Sequence, residues 1–503
     1  MVDEEVKKSE ALVANKKYNT LVEEAGEYIE HFDLLETITN VGNDEVFTPR
    51  KTCEKMLDML PDEVWHNPLY KWLNPATKNG IFEREIAIRL DKGLEDIIPN
   101  KEERRKHILQ NMIYSIGQTK FTANVARRTL YYCSQANRKC DGLKASDGHY
   151  VNGYSIGNGT WFDDEEGNIK TPCTDHKINS STKKCEYCGI SHDSKYLDAK
   201  QREKYAYEFI HVDSGLALNV HLAKRFFGGN KKMKFDIIIG NPPYQLNDGG
   251  GTGSSAIPIY QKFVEQAIKL NPKYMSMIIP SRWYAGGKGL DDFRKEILSD
   301  KRISKLVDYT DSSACFPSQV IAGGVCYFLW DRDYNGKCVV ENRKGNKIIS
   351  RKERNLDEYE FFVRDNNAVN IIKKIRKFNE TTLDEIVFSR NCFNINSGEE
   401  GKQIGKGDDL VLYSLNGVSF IDRKKVSDRD GLVNSYKVMM TKAMSGGNKP
   451  SANGDYLVIS NTMRILKPGE VCTETYLCIG KFSSNEEAAN LSKYMKTKFF
   501  RFL

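Results

Sequence analysis

Between residues 112 and 330 the chain alternates short apolar runs with amphipathic segments. Five of these runs are MIYSIG (112–117), FDIIIG (235–240), YMSMIIP (274–280), ISKLVDY (303–309) and GGVCYFLW (323–330). Strands that are apolar throughout are typical of a largely parallel sheet buried on both faces, and the segments between them predict the covering helices. EFIHV predicts another short strand around Val212. The pattern therefore predicts an α/β fold built on a doubly wound, Rossmann-like sheet.

The length of 503 residues predicts more than one domain. Residues 1–43 are charged and helix-like, residues 44–340 carry the strand–helix alternation, and residues 341–503 form a less regular α+β region. The last residues, KYMKTKFFRFL, lack a polar cap, which is typical of a truncated chain or of one completed by a partner. No apolar stretch reaches the roughly 18 residues of a membrane span, and the N-terminal residues lack the apolar core of a secretory signal.

A polar, turn-rich insertion at residues 138–203 interrupts the alternation. Its CTDH and CEYCG stretches contain residues at zinc-ligand spacing, Cys173, His176, Cys185 and Cys188, with His192 as the substitute for His176. Twelve cysteines without a secretory signal indicate a reducing compartment, where such a cluster more often binds metal than forms disulfides. Because the insertion has few apolar residues, a structural Zn²⁺ would replace the core that it lacks. Ordinary reduced cysteines are the alternative.

The apolar run 235–240 ends in Asn241, Pro242, Pro243 and Tyr244, at the strand edge where α/β sheets bind ligands. The simpler interpretation is a rigid strand exit made by the prolines. In the chemical interpretation, the Asn241 side-chain oxygen and the Pro242 carbonyl accept the two N–H groups of an exocyclic nucleobase amine, which frees the nitrogen lone pair. Tyr244 then stacks on the extruded base. This chemistry requires a hollow beside Asn241 that accepts a purine.

Over roughly residues 44–335 these motifs resemble the γ-type DNA adenine-N6 methyltransferases of the restriction–modification methylase family. FTP (47–49) is similar to the family's first cofactor motif, and NPATKNGIF (74–82) is similar to its loop DPACGSGNF. The resemblance implies that S-adenosylmethionine is the cofactor and that Asn241, Pro242 and Tyr244 are the catalytic residues. It further implies cofactor contacts by Thr48, Asn74, Pro75, Ala76, Gly80, Phe82 and Asp213.

Three positions depart from the family pattern. Asn74 and Lys78 stand where the family has Asp and Gly, and Gly117 stands where an acidic residue holds the ribose. We therefore expect Gln118 or Thr119 to bind the ribose instead.

The resemblance also implies double-stranded DNA as substrate and a separate restriction endonuclease or helicase subunit as partner. The net charge of +7 permits a polyanionic partner without requiring one. The expected setting is the cytoplasm of a bacterium, near the nucleoid, with a bacterial or phage origin, and the C-terminal region either reads the target or caps the fold. A non-catalytic DNA-recognition subunit is one alternative, and a methyltransferase acting on RNA or on protein glutamine is another.

Overall fold

The computed structural model describes residues 46–132, 162, 166–172, 174, 176–191, 205–212, 219–224, 233–245, 257–287, 289–441 and 463–502. The chain divides into two compact units, Met1–Asn366 and Asn367–Leu503. The boundary lies after residue 366 rather than after residue 340, because the strands Cys338–Lys344 and Lys347–Arg354 pair with the sheet of the first unit. The segment 1–43, predicted to be helical, lies outside the described residues, as does much of the insertion.

A mixed sheet of nine strands forms the centre of the first unit in the described part of the chain. Its strands are β1 (Trp72–Thr77), β2 (Ile113–Gly117), β3 (Ile169–Lys170), β4 (Ile237–Gly240), β5 (Tyr274–Pro280), β6 (Ile303–Tyr309), β7 (Val325–Asp331), β8 (Cys338–Lys344) and β9 (Lys347–Arg354). They are ordered β3-β2-β1-β4-β5-β7-β6-β8-β9. The pairs from β3 to β5 are parallel, whereas β7 runs antiparallel to both β5 and β6. The predicted α/β class with a large central sheet is confirmed.

Alternate residues of the central strands enter two separate hydrophobic cores. In β4, Ile238 belongs to one core, whereas Ile237 and Ile239 belong to the other. The helices whose bounds lie within the described part of this unit are α1 (Arg50–Leu57), α2 (Ile81–Gly93), α3 (Lys101–His107), α4 (Lys120–Arg127), α5 (Tyr260–Lys269) and α6 (Asp291–Ser299). Helices α1, α2 and α4 contribute to the core that contains Ile237, and α5 and α6 contribute to the core that contains Ile238. Burial on both faces explains why β4 and β5 consist almost wholly of apolar residues. Strands β8 and β9 are partly exposed and carry several charged residues.

The prediction of a strand around Val212 is wrong. Residues Tyr205–Ile210 form a 3₁₀ helix, because a short apolar run fits a buried helical turn as well as it fits a strand. The sheet position beside β2 is occupied instead by the two-residue strand β3. There, the amide of Ser115 donates to the carbonyl of Asn168 at 2.9 Å.

The second unit contains two three-stranded sheets among its described residues, ordered β11-β10-β14 and β13-β12-β15. The strands are β10 (Leu410–Ser414), β11 (Gly417–Ile421), β12 (Tyr436–Thr441), β13 (Arg464–Leu466), β14 (Glu470–Cys472) and β15 (Tyr476–Phe482). Helix α7 (Asn366–Arg376) starts at the boundary, and α8 (Asn485–Met495) and α9 (Lys498–Phe502) follow β15. Across the described residues, no helix combines the length and the apolar character needed to cross a bilayer.

Candidate active site

The candidate active site lies between β1 and β4, the adjacent parallel strands at which the strand order reverses. Lys78, in the loop after β1, joins the two strand ends. Its Nζ donates to the carbonyl of Asn241 at 3.0 Å and to the carbonyl of Val46 at 3.1 Å. The structure thus brings the segment around Thr48, the loop after β1 and the residues after β4 around one small cavity.

The side-chain amide of Asn241 has a defined orientation. Asn241 is 2% exposed, and its Nδ2 donates to the carbonyl of Val46 at 3.0 Å and to Oγ1 of Thr48 at 3.1 Å. Its Oδ1 is buried and has no hydrogen-bond partner among the described residues. A buried unpaired acceptor costs about 1–3 kcal/mol. The amide is therefore held with its oxygen available to an incoming donor.

The other residues of the Asn-Pro-Pro-Tyr stretch are packed against the cores. Pro242 and Pro243 are buried, and Tyr244 is half-buried with its ring edge-on to Phe316, at 6.4 Å between centroids. Burial raises the pKa of the Tyr244 phenol well above its usual value, so the phenol is neutral. Its backbone carbonyl accepts a hydrogen bond from the amide of Ile259 at 3.2 Å.

The cavity between the described residues is small. It has a volume of about 10 Å³, which is close to that of a single water molecule and too small for a purine. This cavity by itself therefore does not provide the hollow expected from the sequence. Residues 213–218 and 246–256, which adjoin the site in sequence, lie outside the described residues.

The loop after β1 depends on two residues of the predicted motif. Gly80, the N-cap of α2, has a φ of 79°, and a Cβ there would lie 2.8 Å from Cα of Ala126, so other residues are excluded. Asn74 is occupied within the protein, since its Oδ1 accepts from the amide of Ala76 at 3.1 Å and its Nδ2 donates to Glu83 at 2.9 Å. Of the other predicted cofactor residues here, Pro75, Ala76 and Phe82 are buried.

Glu83 was not predicted from the sequence, although it borders the same cavity. It lies in the first turn of α2 and is 1% exposed. Its Oε1 accepts from Asn74 and from the hydroxyl of Ser115 at 2.7 Å, whereas Oε2 has no hydrogen-bond partner among the described residues. Burial raises the pKa of the Glu83 carboxyl. Glu83 could have been found from the sequence, because it is an acidic residue in the first helical turn after a loop in which Asn74 stands where the family has an acid.

The end of β2 explains why the expected ribose-binding acid is missing. A Cβ on Gly117 would lie 2.4 Å from Cβ of Ala123, so no side chain fits there. Thr119 is engaged as the N-cap of α4, where its hydroxyl accepts from the amide of Thr122 at 3.3 Å. Gln118 is fully buried, and its backbone amide donates to the backbone carbonyl of Thr77 at 3.0 Å. Its role as a ribose ligand remains a prediction, and Asp213 lies outside the described residues.

A second cluster lies in the region of the insertion. Four potential metal ligands place their ligand atoms within 4.8 Å of one another, His176, Cys185, Cys188 and His211. Burial raises the pKa of Cys188 to about 12 and lowers the pKa of His211 to about 4. The predicted ligand Cys173 and the substitute His192 lie outside the described residues. Sequence reasoning missed His211 because it follows the insertion, in the run that was interpreted as a strand.

Comparison with known proteins gives a consistent result. The family description "Eco57I restriction-modification methylase" matches residues 111–316. A protein of Mycoplasma pneumoniae described as an uncharacterized adenine-specific methylase is 48% identical over 335 residues, which cover 64% of this chain and 76% of the relative.

Solved structures that resemble the chain are more distant. The Type IIL restriction-modification enzyme MmeI in complex with DNA is 10% identical, with a TM-score of 0.40 and coverage of 88% of this chain. A nuclease-deletion mutant of the Type ISP enzyme LlaGI, in complex with a DNA substrate mimic, is also 10% identical, with a TM-score of 0.44 and coverage of 91% of this chain. The chain spans 60% and 44% of the length of these two proteins.

Proposed function

This chain belongs to the family of adenine-specific restriction–modification methylases, and we propose that it methylates N6 of an adenine extruded from double-stranded DNA. The observation that carries the proposal is the side-chain amide of Asn241. Its Nδ2 donates to Val46 and Thr48, while its Oδ1 has no hydrogen-bond partner among the residues that the structure describes. An adenine amine is a hydrogen-bond donor and would satisfy that oxygen. The proposal requires the closed cavity beside Asn241 to open when the base binds.

The reaction needs little acid–base chemistry from the protein. The adenine amine is a poor nucleophile because its lone pair is delocalised into the ring. Oδ1 of Asn241 and the carbonyl of Pro242 would accept its two N–H groups and localise the lone pair on nitrogen. Tyr244 would stack on the extruded base, as aromatic residues do in enzymes that act on flipped nucleotides. Nζ of Lys78 donates to the backbone carbonyl of Asn241 and so holds that part of the backbone in place.

S-adenosylmethionine, when bound, supplies the electrophilic methyl group. We assign its binding to the residues around the loop after β1, and the buried acceptor atoms there fit a cationic ligand. Oε2 of Glu83 is buried without a hydrogen-bond partner among the described residues, and a buried carboxylate is costly unless it meets a cation. Glu83 would therefore bind the positive charge of the cofactor. Glu83 would thus supply the carboxylate that the family has at the position of Asn74.

Substitution of Asn241 by Ala tests the catalytic proposal. Transfer of a radiolabelled methyl group to duplex DNA should fall by at least about 100-fold, because one of two acceptors is lost in a site where single hydrogen-bonding groups have effects of that size. Calorimetry should show that S-adenosylmethionine still binds, since Asn241 acts on the other substrate. The matched control is Asn335→Ala, at an exposed Asn remote in sequence from the site, which should leave transfer unchanged.

The outcomes separate the rival functions. Full activity of Asn241→Ala would refute the role of Asn241. Absence of S-adenosylmethionine binding to the natural chain, even with DNA present, would favour a non-catalytic recognition subunit. Equal or faster methylation of RNA or of a glutamine-containing protein would change the substrate class.

We also propose that the cysteine cluster of the insertion holds a structural Zn²⁺, as the sequence predicts. The supporting observation is that His176, Cys185 and Cys188 lie together, within 4.8 Å between ligand atoms. A Gly189 with a φ of 80° follows Cys188, and its amide donates to the carbonyl of Cys185, so the knuckle is a tight turn. Zinc content of the purified protein tests this proposal.

The second unit is proposed to recognise the target sequence, and a separate endonuclease or helicase subunit is proposed as partner. The loop 422–430 of that unit exposes Lys424, Lys425 and Arg429, which suit contacts with DNA phosphates. Substitution of these three by Glu should weaken DNA binding and reduce its salt dependence, while S-adenosylmethionine binding stays unchanged. Unchanged DNA affinity would assign this loop to the surface of a structural domain.

A further inference from the structure

We propose that His211 completes the Zn²⁺ site formed with His176, Cys185 and Cys188, so that the metal ties the insertion to the segment that leads into the cofactor site. The sequence had assigned the fourth position to Cys173. The first half of the proposal concerns the ligands alone. The second half rests on the proposed function, since it assumes that Asp213, two residues after His211, contacts the cofactor.

Two of the distances between the ligand atoms fit a tetrahedral site. Nε2 of His211 lies 3.4 Å from Sγ of Cys185, and Nδ1 of His176 lies 3.5 Å from Sγ of Cys188. With Zn–S bonds of about 2.3 Å and Zn–N bonds of about 2.0–2.1 Å, tetrahedral geometry separates a sulfur from a nitrogen ligand by about 3.5 Å. The two separations therefore match the edges of a Cys₂His₂ zinc site.

The ring of His211 presents the correct nitrogen to the cluster. Its Nδ1 faces the backbone carbonyl of Tyr207, and a carbonyl can only accept, so Nδ1 carries the proton. The lone pair is then on Nε2, the nitrogen beside Cys185. Histidines that bind metals are commonly oriented in this way, by a backbone carbonyl on the nitrogen that does not bind.

The segment that carries His211 is anchored to the methyltransferase core. Gln266, on α5, donates through Nε2 to the carbonyl of Val212 at 2.7 Å, and the amide of Tyr205 donates to the carbonyl of Gln118 at 3.0 Å. On the other side of the cluster, Lys262 of α5 donates to the carbonyl of Tyr187. A metal held by His211 would therefore join the knuckle of the insertion to elements packed on the central sheet.

Burial also favours a structural role within this domain. Cys185 and Cys188 are each 3% exposed, and they belong to the same hydrophobic core as Phe209 and Phe263. A zinc element that projects to contact DNA would instead present its surface to solvent. The metal would thus fix the position of residues 211 and 212 relative to α5 and β2, and it would affect cofactor binding through the chain that follows them.

X-ray absorption at the zinc edge of the full-length protein tests the ligand set without any substitution. The expected spectrum has two sulfur ligands at about 2.3 Å and two nitrogen ligands at about 2.0–2.1 Å. Three sulfurs and one nitrogen would overturn the proposal in favour of Cys173. Failure to bind zinc after addition of one equivalent would overturn it as well.

Substitutions then identify the fourth ligand. His211→Ala should lower the affinity for zinc by at least about tenfold, measured by competition with a chromogenic chelator, whereas Cys173→Ser should leave it unchanged. His66→Ala, at an exposed histidine outside the cluster, is the control. The reverse ranking of His211→Ala and Cys173→Ser would refute the assignment. If His211→Ala does not fold, the absorption spectrum of the natural chain decides.

Calorimetry with S-adenosylmethionine tests the link to the cofactor site. Removal of zinc by a chelator should weaken cofactor binding several-fold, and zinc replacement should restore it. A Cys₂His₂ site whose removal leaves cofactor affinity unchanged would refute the link. A Cys₂His₂ site in a protein that never binds S-adenosylmethionine would refute the proposed function, while the ligand assignment would stand.

Discussion

The ends of β1 and β4 lie side by side in the sheet, yet they differ in how far they retain the family pattern. After β4, Asn241 follows the motif, and its side-chain oxygen has no partner in the described part of the chain. After β1, Asn74 and Lys78 replace the expected Asp and Gly, and both make hydrogen bonds within the protein. The carboxylate on that side is supplied instead by Glu83, from the first turn of the next helix.

The proposed function gives the two strand ends different tasks, which would account for this difference. The residue after β4 must present one acceptor atom at one point, and few side chains other than Asn can do so while also donating to Val46 and Thr48. The loop after β1 must provide charge and shape to a larger ligand. Several arrangements of residues can provide the same charge, because a carboxylate may reach the cavity from the strand or from the helix.

Lys78 is the residue that joins the two strand ends, and its substitution by Met should have the largest effect on stability. Loss of Nζ removes this donor from the carbonyl of Asn241, whereas the carbonyl of Val46 keeps its hydrogen bond from Nδ2 of Asn241, so the free energy of unfolding should fall by about 1–3 kcal/mol. Urea unfolding followed by tryptophan fluorescence is suitable, since all five tryptophans lie in the first unit. The control is Lys51→Met at an exposed position. Equal stability of the two variants would mean that Lys78 does not hold the strand ends together.

Gly117→Ala extends the comparison to β2, where the ribose-binding acid is missing. The added Cβ would meet Ala123 at 2.4 Å, so the melting temperature should fall, with a loss of about 1–2 kcal/mol by overpacking. Gly398 is a suitable control, because a Cβ there has no neighbour within 4 Å, and Ala should be neutral or slightly stabilising. Scanning calorimetry detects both units. A neutral Gly117→Ala would show that an acid could fit there after all.

Glu83→Gln should have the smallest effect of these substitutions. It should change the affinity for S-adenosylmethionine rather than the rate of methyl transfer. The dissociation constant for S-adenosylmethionine should rise about tenfold, which is about 1.4 kcal/mol, while the rate at saturating cofactor changes little. Glu95→Gln, at an exposed carboxylate, is the control. A lower saturated rate with unchanged affinity would place Glu83 in the transfer step and not in cofactor binding.

The pH dependence of the Glu83 variant gives an independent check. Because burial raises the pKa of Glu83, the folded protein binds this proton more tightly than the unfolded chain does. The free energy of unfolding should therefore rise as the pH falls from above the pKa of Glu83 in the folded protein to its pKa in the unfolded chain. Cofactor affinity should weaken over the same interval, because the proton competes with the cation. The Gln variant should lack both changes, and it should melt at a higher temperature than the natural chain at neutral pH.

Local pattern was sufficient for five of the nine strands that the described residues form in the central sheet, β2, β4, β5, β6 and β7, but it did not predict the other four. The runs 274–280 and 303–309 coincide with β5 and β6. Strand β5 is buried along its whole length, which explains its apolar composition, whereas β6 also contains Lys305 and Asp308. The run that ends in His211 was interpreted wrongly. Its length and composition suit a strand or a buried turn equally well, and the contacts with Gln118 and Gln266 decide between them.

The sequence by itself determined the α/β class, the strand that carries Asn241, and the clustering of His176 with Cys185 and Cys188, because each of these depends on residues close together in the chain. The tertiary structure alone brought Glu83 beside Asn74, Lys78 beside Asn241, and His211 beside Cys185. These contacts join segments whose approach depends on strand order and on packing across the sheet. Periodicity and spacing along one chain carry no information about either.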